Sequence, residues 1–364
     1  MNSPQLDELC RRVAEQHIPV FTHSGEVQAG SVFVIMPASL PRGRENSMPG
    51  GEQYLAQALA AGPTAVVGEI RHRALAESLH AGCPYVAVDD PREALGLLAR
   101  AYYGTGARCP RIVGITGTNG KTTETYLLEA LYKALGKAVG VIGTVSYRWP
   151  GHEEDAPLTT PSCLLLHSML ADMYTAGVET TFMEVSSHAL DQNRIAGLNF
   201  SAALMTNLTQ DHLDYHADME EYFQSKARLF RAAAEGGVPD DDKLAVLNAD
   251  DAYCRRLLEE KSGRFSFGLE GKSVPGARHL HGEILSMDPR GSRLSMTFEG
   301  RTWELATPLV GSFNVMNLLG AQAMGLAMGL DPRDFAPLSK FTGVTGRLER
   351  GPSSAGLNAF VDYA

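Results

Sequence analysis

The stretch VGITGTNGKTTETYLLEAL, Val113 to Leu131, restricts the fold of this chain more than any other. An apolar strand runs into a glycine-rich turn, and the turn runs into a segment with helical periodicity. Strand, tight turn and helix in direct succession point to a βαβ unit, and so to a mostly parallel sheet with helices on its faces. The glycines let backbone N–H groups turn inward and cradle phosphate oxygens, and the helix N-terminus adds its dipole. Lys121 would reach the β- and γ-phosphates of a nucleoside triphosphate such as ATP, and the Thr122 hydroxyl would ligate Mg²⁺. Gly117, Thr118, Asn119, Gly120 and Thr123 complete the loop. The strict G-x-x-x-x-G-K-[ST] pattern is not met, because Ile115 stands where its first glycine should be. A plain glycine-rich turn ahead of a helix is the alternative; Gly-Lys-Thr after a buried strand weighs against it. Switches, kinases, motors and ligases all use such a loop, so the chemistry must be sought elsewhere in the chain.

The same rhythm surrounds the loop. LDELCRRVAEQHI, EQYLAQALAAG and HRALAESLHAG read as helices; GSVFVIM, PTAVVGE and PYVAVDD read as strands. They make a small α/β unit over residues 1–90. PREALGLLARAYYG is a helix that leads into the second unit. There RIVGIT, KAVGVIGTV, ETTFMEVSS, FSAALMTNL and KLAVLNADD read as buried strands. From Phe265 to about Pro308 the period changes to two, and antiparallel strands are expected at the sheet edge. The fold class expected is α/β: a small N-terminal α/β domain, then a central doubly wound, mostly parallel sheet carrying the phosphate loop over 91–342, with an antiparallel edge subdomain. GVTGRLERGPSSAGLNAFVDYA then begins something new, and residues 343–364 are expected to open a third domain whose remainder is absent.

A chain of 364 residues has room for about two or three domains with real cores. Its formal net charge of -10 argues against a general binder of nucleic acid or anionic membrane. An anionic substrate would then need a local cluster of donors. The five cysteines are scattered and have no C-x-x-C spacing, which suggests neither a disulfide framework nor a zinc site. With no signal-peptide pattern at the start and no apolar run of membrane-spanning length, a cytoplasmic setting is expected.

In a doubly wound sheet the site lies beyond the carboxyl ends of the strands, and three stretches fall there. EVSSHALDQNR supplies Glu184, an acid suited to Mg²⁺, and the donors Ser186, His188, Gln192 and Arg194. TNLTQDHLDYH supplies Asp211 and His212. The spacing of His212 and His216 would also suit zinc on a helix, but no third ligand is evident and the acidic context favours a hard cation. SKARLF supplies Lys226, which is either an exposed helical lysine or a charge turned into a crowded phosphate site.

GTNGKTT, TTP (Thr159 to Pro161), EVSSHAL, TNLTQDHLDYH, SKARLF, GSFNVMN, GRLE and VDYA occur in this order. Together they resemble the Mur ligases of peptidoglycan synthesis, on which the cell wall, cell shape and division depend. Within that family they resemble the branch adding the third amino acid to a UDP-linked muramoyl peptide. EVSSHAL and DHLDYH discriminate, since the D-Ala-D-Ala-adding sibling and folylpolyglutamate synthase differ there. The resemblance, from about residue 20 onward, implies three domains: one for the uridine nucleotide, one for ATP and one for the incoming amino acid. It implies contacts to the UDP-N-acetylmuramoyl-L-Ala-D-Glu acceptor from Thr159, Thr160, Ser186, Gln192 and Arg194. It implies Mg²⁺ at Glu184 and His212, with Lys226 a further metal ligand once carbamylated. Asn314, Asn317 and Arg347 are implied at ATP. Catalysis is implied for Lys121, Lys226 and Arg194.

One departure stands out. The family's uridine motif reads Asp-Ser-Arg, whereas here His23 and Gly25 flank a retained Ser24, and the later Asp-Gly element appears as Gly50-Gly51. The resemblance implies ATP-driven amide formation: the D-Glu carboxylate of the acceptor takes the γ-phosphoryl group, and a diamino acid, meso-diaminopimelate or L-lysine, displaces phosphate. It implies a monomer that binds neither nucleic acid nor membrane. A chain ending at VDYA is expected to bind nucleotides without net turnover. Folylpolyglutamate synthase and a phosphate-loop module without ligation are the rival readings.

Overall fold

The computed structural model describes residues 4–38, 50–231, 244–260, 264–272, 274–344, 346, 349–350 and 360–362. The N-terminal unit runs through α1 (Pro4–Gln16), β1 (Val20–Phe21), β2 (Val32–Val34), α2 (Leu55–Ala60), β3 (Ala65–Glu69), α3 (Arg73–Leu79) and β4 (Tyr85–Val88). Its strands lie side by side in chain order, all parallel. Both faces are covered. Val32 and Val34 pack with Leu9 and Val13 of α1, while Phe33 packs with Leu55 and Leu59 of α2. That is the period of two expected of a strand buried on both sides.

Helix α4 (Pro91–Tyr103) leads out of this unit. Asp90 caps it by accepting from the Arg92 N–H at 2.8 Å, Pro91 fits the first turn, and Gly104 ends it in the left-handed region at φ 70°.

The central unit continues with β5 (Arg111–Thr116), α5 (Lys121–Ala134), β6 (Val139–Ile142), β7 (Ser146–Trp149), β8 (His152–Asp155), α6 (Cys163–Thr175), β9 (Thr180–Glu184), α7 (Ser187–Asp191), β10 (Phe200–Met205), α8 (Met219–Arg231), β11 (Leu244–Asn248), α9 (Ala252–Glu260) and β12 (Phe265–Gly268). β13 (Arg278–Asp288), β14 (Gly291–Phe298), β15 (Arg301–Thr307) and α10 (Ser312–Ala327) complete it. Its strands form one sheet in the order 15-14-13-12-11-10-5-9-6-7-8. Val113, Ile115 and Phe182 face α5 and α10, while Ile112, Met183 and Met205 face α6 and α8. A short antiparallel pair, β16 (Glu349–Arg350) with β17 (Phe360–Val361), follows.

The expected α/β class and doubly wound sheet are found, with two differences. β12 pairs parallel with β11, and β13 pairs parallel with β12, so antiparallel pairing begins only between β13 and β14. Phe265 therefore belongs to the parallel core. The other sheet edge carries a hairpin, β7–β8, whose sequence SYRWPGHEED has too little apolar alternation to read as strands.

The connecting helix α4 meets the central unit backbone to backbone. A Cβ on Gly96 of α4 would fall 2.4 Å from the Ala196 carbonyl carbon, and one on Gly197 would fall 2.3 Å from the Gly96 oxygen. Gly197 also has φ 76°. Beside this contact, His167 of α6 is fully buried. Its Nδ1 lies 2.6 Å from Thr105 Oγ1 and its Nε2 lies 3.0 Å from the Ala196 oxygen. A carbonyl only accepts, so Nε2 carries the proton and Nδ1 accepts from the threonine hydroxyl.

Glu124 of α5 is also fully buried, but neither of its oxygens has a hydrogen-bond partner. It is pressed against Gly320 of α10, where a Cβ would come within 2.2 Å of its Oε1. Burial pushes its carboxyl well above the usual range, so the folded state holds the neutral acid. The sign follows: a raised folded pKa stabilises below the unfolded value, and that contribution is lost as pH rises. Glu124→Gln should therefore unfold at a higher temperature than the parent at pH 8.5, by on the order of several °C, with little difference near pH 4.5. Thermal melts that show the same gap at both pH values would refute this.

Candidate active site

The carboxyl ends of β5, β6, β9 and β10 lie along one edge of the sheet, and the site is built on them. The turn after β5 needs its glycines. Gly117 has φ 141° and Gly120 has φ 90°. A Cβ on Gly117 would lie 1.9 Å from Thr206 Oγ1, and one on Gly120 would lie 2.3 Å from Asn317 Oδ1. The turn is fastened to the segment after β10. Thr118 N–H donates to the Asn207 carbonyl at 3.0 Å, and Asn119 N–H donates to Asn207 Oδ1 at 3.0 Å. Asn207 Nδ2 answers to the Asn119 carbonyl at 3.2 Å, and Thr209 N–H donates to Thr118 Oγ1 at 3.0 Å. A loop held this way is shaped before any ligand arrives.

Glu184, at the end of β9, is 1% exposed yet fully engaged. It accepts from the Thr122 hydroxyl at 3.1 Å, from Thr144 N–H at 3.0 Å and from the Thr144 hydroxyl at 3.0 Å. Thr160 Oγ1 donates to the Glu184 carbonyl at 2.9 Å and accepts from Ser186 N–H at 3.1 Å. The Thr160 carbonyl accepts from Arg194 Nη1 at 2.9 Å. Gln192 Oε1 accepts from Arg194 Nε at 3.0 Å and from Nη2 at 2.7 Å. Gln192 thus aims Arg194 and does not itself line the cleft.

Two lysines converge on the loop. Lys121 Nζ donates to the carbonyls of Gly117 at 2.9 Å and Thr118 at 2.8 Å. Lys226, on the inner face of α8, is 1% exposed and also donates to the Gly117 carbonyl, at 2.9 Å. Its Nζ sits 4.7 Å from the centre of the Tyr222 ring. Burial first, and then the charge of Lys121, push the Lys226 amine well below its usual range. The exposed-lysine alternative is thereby excluded. His188 and His212 meet edge to face, ring centres 5.0 Å apart. Burial, with His212 and His216 nearby, pushes His188 down to about 4.

These groups surround a cleft of about 810 Å³. Among the residues singled out in the sequence, Thr118 to Thr123, Thr159, Thr160, Glu184, Ser186, His188, Arg194, His212, Asn314 and Asn317 line it. Gly117 and Lys226 sit behind it. Ser24 lies in the N-terminal unit, donating to Gln57 Oε1 at 3.0 Å. Arg347 falls outside the described residues. The sequence reading missed Thr144, Asn207 and Thr209. Each follows a strand end, so the rule that found Glu184 would have reached them.

The donors fit a nucleoside triphosphate with Mg²⁺. Two glycine positions leave no room for a Cβ, and a buried carboxylate shares a threonine hydroxyl at the helix start. Among the described residues no group of three His, Cys, Asp or Glu could hold a metal ion by itself. Mg²⁺ takes one or two protein oxygens plus phosphates and water, and Thr122 and Glu184 are oxygen donors of that kind.

Residues 115–325 match the Mur ligase middle domain. The chain is 47% identical over its 364 residues to UDP-N-acetylmuramoyl-L-alanyl-D-glutamate--2,6-diaminopimelate ligase of Lawsonia intracellularis, and covers 72% of that protein. It is 40% identical over 345 residues, 94% of this chain, to the ligase of the same name from Gloeobacter violaceus, and covers 66% of it. A solved structure of a ligase with that name superposes with a TM-score of 0.75 at 26% identity, over 92% of this chain and 65% of that one. MurF from Thermotoga maritima in complex with ADP shares the fold, with a TM-score of 0.53 at 18% identity, over 93% of this chain and 69% of that one. The chain thus spans between about two thirds and three quarters of these relatives.

Gly117→Ala should weaken nucleoside triphosphate binding by at least about tenfold, because strain and a collision with Thr206 would both displace the loop. Titration with a fluorescent ATP analogue measures this, and parental affinity would contradict it.

Proposed function

This chain belongs to the Mur ligase family, and from that premise we propose that it is an ADP-forming ligase acting on the carboxylate of a UDP-linked muramoyl peptide. The convergence of the phosphate loop, the Glu184 group and Arg194 on one cleft carries the reading. A triphosphate seated on the loop would have its γ-phosphate turned toward the side where Thr159, Thr160, Ser186 and Arg194 stand. The names of the relatives point to UDP-N-acetylmuramoyl-L-Ala-D-Glu as acceptor, and to 2,6-diaminopimelate rather than L-lysine as the amine.

In this reading the acceptor carboxylate attacks the γ-phosphate, giving an acyl phosphate and ADP, and the amine then displaces phosphate. The first step brings anion against anion, so positioned cations supply much of the catalysis. Lys121 is the charge nearest the loop, and phosphate oxygens would replace the carbonyls it now bonds. Arg194, steadied by Gln192 and the Thr160 carbonyl, would orient the acceptor carboxylate. Thr122 and Glu184, with His212 close by, would hold Mg²⁺, which supplies further neutralisation of the phosphates when bound. Asn314 and Asn317, and Arg347 beyond the described residues, are assigned to the nucleotide. The uridine end is assigned to the N-terminal unit around Ser24.

Lys226 has a second task in this proposal. A neutral, buried amine is a nucleophile toward CO₂: its nitrogen forms the N–C bond, a proton leaves, and an anionic carbamate remains. The carbamate would offer oxygen where the lysine now offers a donor. A cytoplasmic monomer belongs to the same reading. Among the described residues no helix is long and apolar enough to cross a membrane.

Calorimetry with the dipeptide acceptor and with folate, each with and without a non-hydrolysable ATP analogue, tests the acceptor. The UDP-muramoyl dipeptide should bind and folate should not. Arg194→Ala should weaken dipeptide binding by about a hundredfold and leave ATP binding nearly unchanged. Preference for folate would favour the folylpolyglutamate reading, and binding of ATP alone would favour a nucleotide module. Separately, ¹³C-bicarbonate should give a carbamate NMR signal that Lys226→Gln abolishes; a signal that survives in the variant would refute this role.

A further inference from the structure

Away from the cleft, the imidazole of His167 is fully enclosed by the fold and has a partner for each nitrogen. Its two nitrogens join two chain segments far apart in sequence: Thr105, just after α4, and Ala196, two residues beyond Arg194. The turn between them and the site is tightly shaped. Asn193 has φ 53° and Gly197 has φ 76°, and the Arg194 N–H donates to the Ala189 carbonyl at 2.8 Å. Cys163, one helical turn before His167, also points its Sγ at the Ala196 carbonyl, at 3.7 Å.

Helix α6 therefore touches the Arg194 turn at two levels. Just ahead of the helix, the Thr160 carbonyl receives the guanidinium itself. About two turns later, His167 Nε2–H donates to the Ala196 carbonyl in the backbone that follows it. An apolar side chain could fill the same space without the cost of desolvating an imidazole. What it could not do is hold the Ala196 carbonyl and the Thr105 hydroxyl in fixed relation. The Gly96–Gly197 contact makes that relation exacting, since neither backbone has a side chain to cushion a shift.

We propose that His167 is a positioning residue of the acceptor site: by tying Ala196 to Thr105 it fixes the turn that aims Arg194, and couples that aim to the seat of α4 on the N-terminal unit. The proposal rests on the reading of Arg194 as an acceptor-binding group. It assigns to a residue outside the cleft a selective effect on one of the two ligands. A purely structural role would move both.

Two readouts test it on the full chain. Hydrogen exchange of the amides of residues 193–197 reports the turn without any ligand. Calorimetry reports the affinities for UDP-muramoyl dipeptide and for ATP. His167→Phe keeps a ring and loses both hydrogen bonds. It should speed exchange in the turn and weaken dipeptide binding by about tenfold or more, with ATP affinity kept within about twofold. His167→Gln, whose amide N–H can take the place of Nε2–H toward Ala196, should recover most of the dipeptide affinity. Thr105→Val, which removes the far partner and disturbs packing little, should act in the same direction as the phenylalanine variant. Parental exchange and parental dipeptide affinity in the phenylalanine and valine variants would overturn the proposal, as would parallel loss of both ligands. Should Arg194→Ala leave dipeptide binding intact, the acceptor reading fails, and exchange in the turn still decides whether His167 holds it.

Discussion

Strand β5 hydrogen-bonds to β9 on one side and to β10 on the other, and the site depends on that placement. The chain leaves β5 through α5 to reach β6, returns to β9 beside β5, and then crosses to β10 on the far side. The loop after β5 therefore opens between two strand ends that diverge, the place where a doubly wound sheet offers a crevice. β9 delivers Glu184 to one side of the loop. β10 delivers Thr206, Asn207 and Thr209 to the other. No residue of the loop needs a long reach, because both walls are set by backbone pairing.

The loop's charge follows from its geometry. The Gly117 carbonyl accepts from both Lys121 and Lys226. Two full positive charges meeting on one oxygen in a buried place would repel, and α8 buries Lys226 while Lys121 faces the cleft. The lower-cost arrangement is a charged Lys121 and a neutral Lys226, the direction in which burial and Lys121 together drive it. The arrangement separates the roles of two chemically identical groups. One remains a cation facing the cleft; the other keeps its lone pair available.

Much of this was legible in the sequence because the period-two runs and the turn residues are local signals. Buried on both faces, β5, β6, β9, β10 and β11 read as apolar runs, and polar residues immediately after them marked the site. The hairpin β7–β8 was not legible. Its second strand, HEED, is exposed throughout, so no hydrophobic pattern sets its register. β12 was misread as antiparallel because FSFG carries no sign of its neighbour's direction, and only the fold sets β11 beside it. Lys226 shows the limit for single residues. SKARLF is compatible with an exposed or a buried lysine, and the packing of α8 against β10 decides. Gln192 could be placed near the site from sequence, but its task of steadying Arg194 needs distances.

Two buried polar groups show how the surrounding helices constrain the site. His167 has a partner for each ring nitrogen, and Glu124 has none for either oxygen. Satisfied groups of the first kind specify one arrangement, while an unsatisfied acid only lowers stability unless it stays protonated. Glu124 is nonetheless accommodated, because Gly320 gives it room on α10. One turn earlier on the same face of α10, Asn317 leans over Gly120. The α5–α10 contact is therefore set by glycine at two successive levels, Gly120 in the turn that starts α5 and Gly320 on α10. A side chain at either level would push α10 outward and carry Asn314 and Asn317 away from the phosphate loop. The close approach of these helices thus fixes how far the asparagines stand from the phosphate loop, and a distance set by the core becomes a dimension of the cleft.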